Sequence, residues 1–280
     1  MKTVFDEELE FITPAFLSGA NQDVPEVRVP SIRGELRWWF RVLGGTSDVE
    51  KELFGAVHGG ALASVVVLRV SNVTPKYGPE ISFTPMSDKG YLYYFAKVSG
   101  NKTGVHRTHS SHYFAPGTRF RLRVYLRHTI DKDSFDRLQA VLQVFTTFGS
   151  LGLRATRGCG ALSMGHGVTF DDLKRFAAIC EVQNVYVRKI GNEIYDNSTG
   201  EKCQIALGGF LRELRKGNNI SGNKHSALGF SDRNNARASS ALRLRPVIVD
   251  GKFWPIVIYT DAACSQPSLL DMVMCETQPL

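Results

Sequence analysis

The chain has 280 residues, of which 43% are hydrophobic and 10% aromatic, and it carries a formal net charge of +7. This composition allows one large or two medium domains with packed cores, and it excludes an intrinsically disordered chain. The 21 arginines outnumber the 13 lysines, which favours a polyanionic partner because guanidinium groups pair with phosphate and stack on bases.

The cysteines and the hydropathy indicate the compartment. Five cysteines occur at wide spacings without a C-x-x-C pair, so neither a zinc ribbon nor a disulfide framework is predicted, and a reducing cytoplasm fits best. The first residues are acidic where a signal peptide needs an apolar core, and no apolar window approaches 18 residues. We therefore expect a cytoplasmic protein that contacts no membrane and uses no cofactor or metal.

The first half of the chain is predicted to follow the order β-α-β-β-α-β, with a short helix at 48–54 and an inserted strand at 91–97 as additions. The six main elements are strand 3–12, helix 31–43 with Ser31 as its N-cap, strand 62–70 buried on both faces, strand 119–127, helix 133–148 and strand 161–168. This is the ferredoxin-like order, which RNA-recognition folds share.

The pattern restarts after residue 168. The predicted elements are helix 170–180, strand 184–190, helix 206–215, a polar loop at 217–237, and strands 241–249 and 253–259, which form a hairpin with its turn at Asp250–Gly251. The tail after Thr260 shows no pattern. We therefore predict an α+β fold with an N-terminal domain at 1–168 and a smaller α+β domain at 169–280.

A glycine-rich stretch between the second long helix and the following strand is the most informative local motif. It contains four glycines and two arginines: Gly149, Gly152, Gly158, Gly160, Arg154 and Arg157. Glycine lets a ligand approach the main chain, whose N–H groups bind anions, and arginine adds charge. The motif predicts phosphate binding, and the alternative is a flexible turn with solvated arginines.

The predicted helix 31–43 carries a basic stripe beside its apolar stripe. Arg33, Arg37 and Arg41 recur at i, i+4 and i+8, where like charges repel unless an anion lies across that face. The alternative is a solvated face neutralised by nearby acidic residues, Glu35 and Glu52.

The adjacent tryptophans of this helix cannot both point into one core. Trp38 is therefore a candidate for base stacking or for a contact with another subunit. The alternative is that both rings pack against flanking loops.

Strand 119–127 predicts a second basic surface, because Arg119, Arg121, Arg123 and Arg127 share one face by strict alternation. In a ferredoxin-like sheet that face could bind RNA. The alternative is a water-exposed face on which carboxylates pair with the arginines.

One histidine cluster occurs, with members at His106, His109 and His112. Such a cluster can bind a metal or supply a general acid and base. A basic loop that touches nucleic acid is the interpretation we favour, because this spacing does not converge three rings in an extended loop.

Three segments resemble a known family. Residues 11–19 and 26–41 are similar to the opening of the first subunit of the Cmr-type (type III-B) CRISPR effector complex, and residues 148–162 resemble the glycine-rich loop of the wider RAMP superfamily. The Arg-Ala-Ser segment that starts at Arg237 is similar to the family's C-terminal segment. The resemblance implies tandem ferredoxin-like (βαββαβ) RAMP modules, although residues 169–280 are short for a complete second module.

The resemblance also implies a function. It implies a non-catalytic subunit of an antiviral ribonucleoprotein that contacts single-stranded RNA, either the 3′ region of the guide or the target, together with other RAMP subunits. Carried over by position, the arginines of helix 31–43 and of the glycine-rich loop lie where RNA contacts are expected. Two alternatives stay open: a metal-independent guide-processing endoribonuclease that uses the histidine cluster, and a scaffold without RNA contact.

Overall fold

A computed structural model of the chain shows a mixed α/β architecture built on antiparallel sheets. It describes residues 1–57, 60–84, 87–93, 99–100, 106–108, 112–165, 167–196, 200–216, 228, 230–231, 237–238, 240–260 and 267–280. Within these residues, no helix has the length and apolar character needed to span a bilayer.

The first half contains eleven described elements. They are β1 (Lys2–Phe11), α1 (Val29–Val42), α2 (Ser47–Phe54), β2 (Val66–Thr74), β3 (Ile81–Phe83), α3 (Asp88–Tyr93), β4 (Ser99–Gly100), β5 (His106–Thr108), β6 (Arg119–Leu126), α4 (Lys132–Phe148) and β7 (Leu162–Met164). Four of the strands form one sheet in the order β2-β6-β1-β7, and every neighbouring pair is antiparallel. With α1 and α4 as connections, this sheet follows the predicted β-α-β-β-α-β order.

Alternation along β6 explains how this sheet buries one face. Phe120, Leu122, Val124 and Leu126 point into the core and are buried, whereas the intervening residues face outward. The helices α1 and α4 supply the other side of the core with Leu36 and other apolar side chains. The outward face therefore carries the charged residues of the sheet.

Three local predictions in this half were wrong. Helix α1 begins two residues before the predicted N-cap at Ser31, because Pro30 lies in the first turn, where its fixed φ suits a helix. Strand β2 starts at Val66 and is buried on one face only, since Arg69 is exposed. Residues 91–93 end helix α3 instead of starting a strand, and 94–97 lie outside the described residues.

The second half contributes α5 (Phe170–Glu181), β8 (Val185–Lys189), α6 (Gly200–Lys216), β9 (Phe230–Ser231), β10 (Arg237–Ala238), β11 (Leu242–Val249), β12 (Lys252–Thr260) and α7 (Pro267–Glu276). The described part of its main sheet has three strands in the order β11-β12-β8. The predicted hairpin is confirmed, with positive φ at Asp250 and Gly251 as a two-residue turn requires. Helix α6 starts earlier than predicted, and α7 occupies the tail that showed no pattern.

Two hydrophobic cores hold the halves together. The first joins α1, α4 and the four-stranded sheet to buried residues of α5, β8 and the β11–β12 hairpin, including Leu173 and Ile256. The second packs α3, α6 and the hairpin against the chain near Phe16 and Ala161. The glycine-rich stretch lies where this second core meets the first half.

Candidate nucleic-acid interface

Helix α1 presents its arginines beside its buried face. Ile32, Leu36 and Phe40 point into the core, so the arginines one position further along the chain lie at the edge of the helix. These arginines and helix α2 line a groove of about 860 Å³, which we call the α1 groove. Its lining residues are Arg33, Arg37, Arg41, Gly45, Ser47, Glu50, Lys51, Phe54, Gly55, Ala56, Val57, Leu62 and Ser64.

A single carboxylate organises the arginine row. Oε1 of Glu50 lies 2.6 Å from Nε of Arg37 and 3.0 Å from Nη1 of Arg41, and the Glu50 side chain is only 6% exposed. A second donor of Arg37, Nη1, binds the carbonyl oxygen of Gly55 at 3.2 Å. The pairing offsets part of the repulsion along the helix and fixes both side chains.

The α1 groove retains a positive charge after this pairing. Four basic side chains and one acidic side chain line it. Arg41 is 54% exposed, and Nε of Arg33 is buried without a hydrogen-bond partner among the described residues. The groove can therefore bind an anion with donors that are already oriented.

The expected neutralisers of this helix were misassigned. Glu35 pairs with Arg243 of strand β11 at 2.9 Å, so its charge is used between the two halves of the chain. Glu50, rather than Glu52, supplies the carboxylate for the arginine row. Sequence spacing could not choose between Glu50 and Glu52, because both lie on α2 and the choice depends on how α2 packs beside α1.

Trp38 has one ring face covered by the protein itself. The guanidinium carbon of Arg243 lies 3.3 Å from the centroid of Trp38, and the ring also packs edge-on against Trp39 at 4.8 Å. A guanidinium over an indole is a favourable cation–π contact. The predicted role of Trp38 as a base-stacking platform is therefore wrong for this face, which carries Arg243 instead of a base.

The arginines of the glycine-rich stretch point inward. Arg157 is 5% exposed and donates to the carbonyl oxygen of Leu228, and burial lowers its pKa to about 9. Arg154 donates through Nε to the carbonyl oxygen of Leu92 at 2.6 Å and through Nη2 to that of Tyr91. Both guanidinium groups thus bind the protein's own main chain, which corrects the RNA-contacting role predicted for Arg154 and Arg157.

The glycines of the stretch also serve close contacts within the protein. Gly152 and Gly160 have positive φ, and a Cβ at either position would overlap a backbone carbonyl oxygen of a neighbouring segment. The other two glycines are buried: Gly149 and Gly158. These contacts bring the chain close to itself, while Gly152 is exposed, so phosphate binding to the main chain of this stretch stays a prediction.

Sequence reasoning missed the burial of Arg245. Arg245 of β11 is fully buried, and it donates through Nε to the carbonyl oxygen of Phe148 at 2.7 Å and through Nη1 to that of Leu244 at 2.7 Å. A further bond reaches the carbonyl oxygen of Ala155. The available signal was a pair of arginines inside a strand whose other residues are apolar, because such positions face either a core or a partner.

Carboxylates of β1 neutralise the outward arginines of β6. Arg119 lies 2.8 Å from Glu10, and Asp6 accepts from Arg121 at 2.6 Å and from Arg123 at 3.1 Å. These cross-strand bonds lower the pKa of Asp6, with the bond from Arg121 as the largest cause. The paired-face interpretation of this strand is the one that the structure supports.

The histidine cluster is only partly described. The backbone of His106 belongs to β5, His109 lies outside the described residues, and Nδ1 of His112 is 3.8 Å from Oδ1 of Asp23. Among the residues that the structure describes, no three metal-ligating side chains converge. The backbone of Arg237 forms β10, and its side chain lies outside the described part.

Comparison with known families decides the assignment. A family model of the RAMP superfamily matches residues 8–163, which is more than half of the chain and includes α1, most of the four-stranded sheet and the whole glycine-rich stretch. The chain belongs to the RAMP superfamily.

Relatives of this RAMP protein include two curated proteins of Pyrococcus furiosus. CRISPR system Cmr subunit Cmr1-1 is 29% identical over 170 residues, which cover 56% of this chain and 46% of that protein. Cmr subunit Cmr1-2 is 28% identical over 182 residues, which cover 58% of this chain and 95% of that protein. The match thus spans less than half of the first relative's length.

Solved structures share the fold. The crystal structure of apo Cmr1 from Pyrococcus furiosus aligns with a TM-score of 0.57 and 22% identity, covering 91% of this chain and 86% of that one. A chain of type III-B Cmr-beta bound to cognate target RNA aligns with a TM-score of 0.54 and 13% identity, covering 92% and 94%. The predicted resemblance to Cmr-type RAMP subunits is confirmed.

Proposed function

We propose that this RAMP protein is a non-catalytic, RNA-binding subunit of a type III-B CRISPR effector complex, and that the α1 groove is its RNA contact. The observation that carries the proposal is the row of three arginines on one helix face, two of which pair with one buried carboxylate, with Arg41 open to solvent. Guide RNA, target RNA and other RAMP subunits are the proposed partners.

The groove suits the RNA backbone rather than a particular sequence. Its donors are guanidinium groups, which bind phosphate oxygens in pairs and carry no information about the base. We therefore expect similar affinity for unrelated single-stranded RNAs and a strong dependence on salt.

The second half of the chain is proposed to be a reduced RAMP module. Its described sheet has three strands, and part of its core is shared with the first half. In this proposal residues 1–168 form a complete ferredoxin-like module, and residues 169–280 form a shorter one that supports it.

Binding to labelled single-stranded RNA at several salt concentrations tests the role of the α1 groove. We expect R33A/R41A to lower affinity by about tenfold at low salt and to reduce the slope of log K against log salt by about 1–2, because two phosphate contacts are lost. R119A/R175A is the matched control, since it removes the same charge from two surface ion pairs outside the groove.

The same reactions analysed on a denaturing gel test the non-catalytic part of the proposal. We expect intact RNA after long incubation. Discrete products that disappear in H112A would favour the endoribonuclease alternative.

In the binding experiment, equal affinities and salt slopes for R33A/R41A and wild type would contradict RNA binding by the α1 groove.

A further inference from the structure

The α1 groove has apolar lining in addition to its arginines. Val57 is 83% exposed and Leu62 is 49% exposed, and both line the groove. Exposed apolar side chains are common when they are scattered singly. Here two exposed apolar side chains lie in the same groove as three arginines. The groove therefore offers one part that can bind an anion and another that can contact an apolar face.

Main-chain hydrogen bonds connect Leu62 to the backbone beside the arginine row. Ala56 and Leu62 exchange two main-chain hydrogen bonds of 3.1 and 2.9 Å, which close the loop between them. The same loop begins at Gly55, whose carbonyl oxygen accepts from Arg37 of the arginine row. Leu62 and Arg37 are therefore both bonded to the short backbone segment at residues 55–56 before any ligand arrives.

We propose that the α1 groove selects unpaired nucleotides, with phosphates on the arginine row and base faces on Val57 and Leu62. This inference rests on the proposed function and names its substrate more closely. Single-stranded RNA offers charge and an exposed apolar base face together, whereas a duplex stacks its bases inside and presents mainly phosphate and sugar. The volume of about 860 Å³ is in the range of ligand sites and holds roughly one or two nucleotides.

Charge favours RNA over a protein segment as the occupant. Four basic side chains against one acidic side chain suit a backbone that carries a negative charge on every residue. An acidic segment of a neighbouring subunit with apolar side chains would use the same surface, and in that case V57S/L62S would leave the preference for base-bearing RNA unchanged.

The test compares three probes on the purified full chain: a single-stranded RNA, the same strand with abasic ribose at every position, and a blunt duplex. We expect the wild type to prefer the base-bearing strand to the abasic strand by about five- to tenfold, because base faces cover apolar surface. V57S/L62S should reduce this ratio to about one and leave the salt slope unchanged. V73S/V182S is the control, because these side chains are exposed outside the groove.

The outcomes separate this inference from the proposed function. Equal binding of base-bearing and abasic strands, with a salt slope that still depends on Arg33 and Arg41, overturns the inference and keeps the function. A base preference that V57S/L62S leaves intact also overturns it. A salt slope independent of both arginines overturns the function itself. The thermal unfolding midpoint of each variant verifies that it is folded.

Discussion

The arginines of helix α1 and those of the glycine-rich stretch look alike in the sequence and differ in the structure. Arg33, Arg37 and Arg41 line an open groove, where the last two pair with one carboxylate. Arg154 and Arg157 instead donate to main-chain carbonyl oxygens of the second core. A basic motif therefore predicts an anionic partner only when the hydrogen-bond donors of its guanidinium groups are not already used by main-chain carbonyl oxygens of the same chain.

The comparison has an energetic side. A buried guanidinium without a carboxylate costs desolvation, which is offset only while its carbonyl partners stay in place. An exposed guanidinium loses little hydration and stays available to bind phosphate. Substitutions in the two regions should therefore have opposite signatures: loss of stability in the stretch and loss of RNA affinity in the groove.

The largest effect is expected at Arg245, which shares the surroundings of the glycine-rich stretch. R245A would leave the carbonyl oxygens of Phe148, Leu244 and Ala155 without this donor and would create a cavity. We expect a loss of about 3 kcal/mol or more in the free energy of unfolding, measured with urea. R41A should change it by less than about 0.5 kcal/mol, since that side chain is mostly exposed. Equal stability of the two variants would remove the distinction between the regions.

The next largest effect is expected from replacing one glycine in each region with alanine, which should change the free energy of unfolding in opposite directions. Ala at Gly160 would require positive φ and overlap a neighbouring carbonyl, so G160A should destabilise the fold by about 1–3 kcal/mol. Gly34 of α1 has open space around its missing Cβ, so G34A should stabilise by about 0.5–1 kcal/mol. Thermal and urea unfolding measure both, and a stable G160A would mean that the stretch is not tightly packed.

A smaller effect is expected on the outward face of the four-stranded sheet, where arginines pair with the carboxylate of Asp6. The folded-state pKa of Asp6 is lowered, so its contribution to stability is fully present above its unfolded pKa and is lost as pH falls through the folded value. We expect NMR titration of this carboxyl to show a midpoint below the ordinary value for aspartate. In R121A the midpoint should rise, and an unchanged midpoint would exclude the bond from Arg121 as the main cause.

The order of elements was predictable because periodicity reports burial directly. The alternation of β6 and the apolar spacing of α1 each gave an element close to the observed one. Short elements without a periodic signal, such as α3, were not predictable, since their structure depends on contacts with α6 across the chain.

The site was predictable only in part. The spacing of Arg33, Arg37 and Arg41 identified a row on one helix face, but the role of Glu50 depends on how α2 packs beside α1. The inward direction of Arg157 depends on the carbonyl of Leu228, which is 71 residues away along the chain. The spacing of residues along the chain reveals neither of these contacts. The sequence therefore could not distinguish the arginines of α1 from those of the glycine-rich stretch.

Chemical modification of arginine with and without RNA tests the central claim most directly. Single-stranded RNA is bound to the full chain, an arginine-specific dicarbonyl reagent is added, and mass spectrometry quantifies each site. The account predicts that Arg33 and Arg41 react in the free protein and are protected by RNA, whereas Arg157 and Arg245 are unreactive in both states. Protection confined to residues outside the α1 groove, or RNA-dependent protection at Arg157, would contradict it.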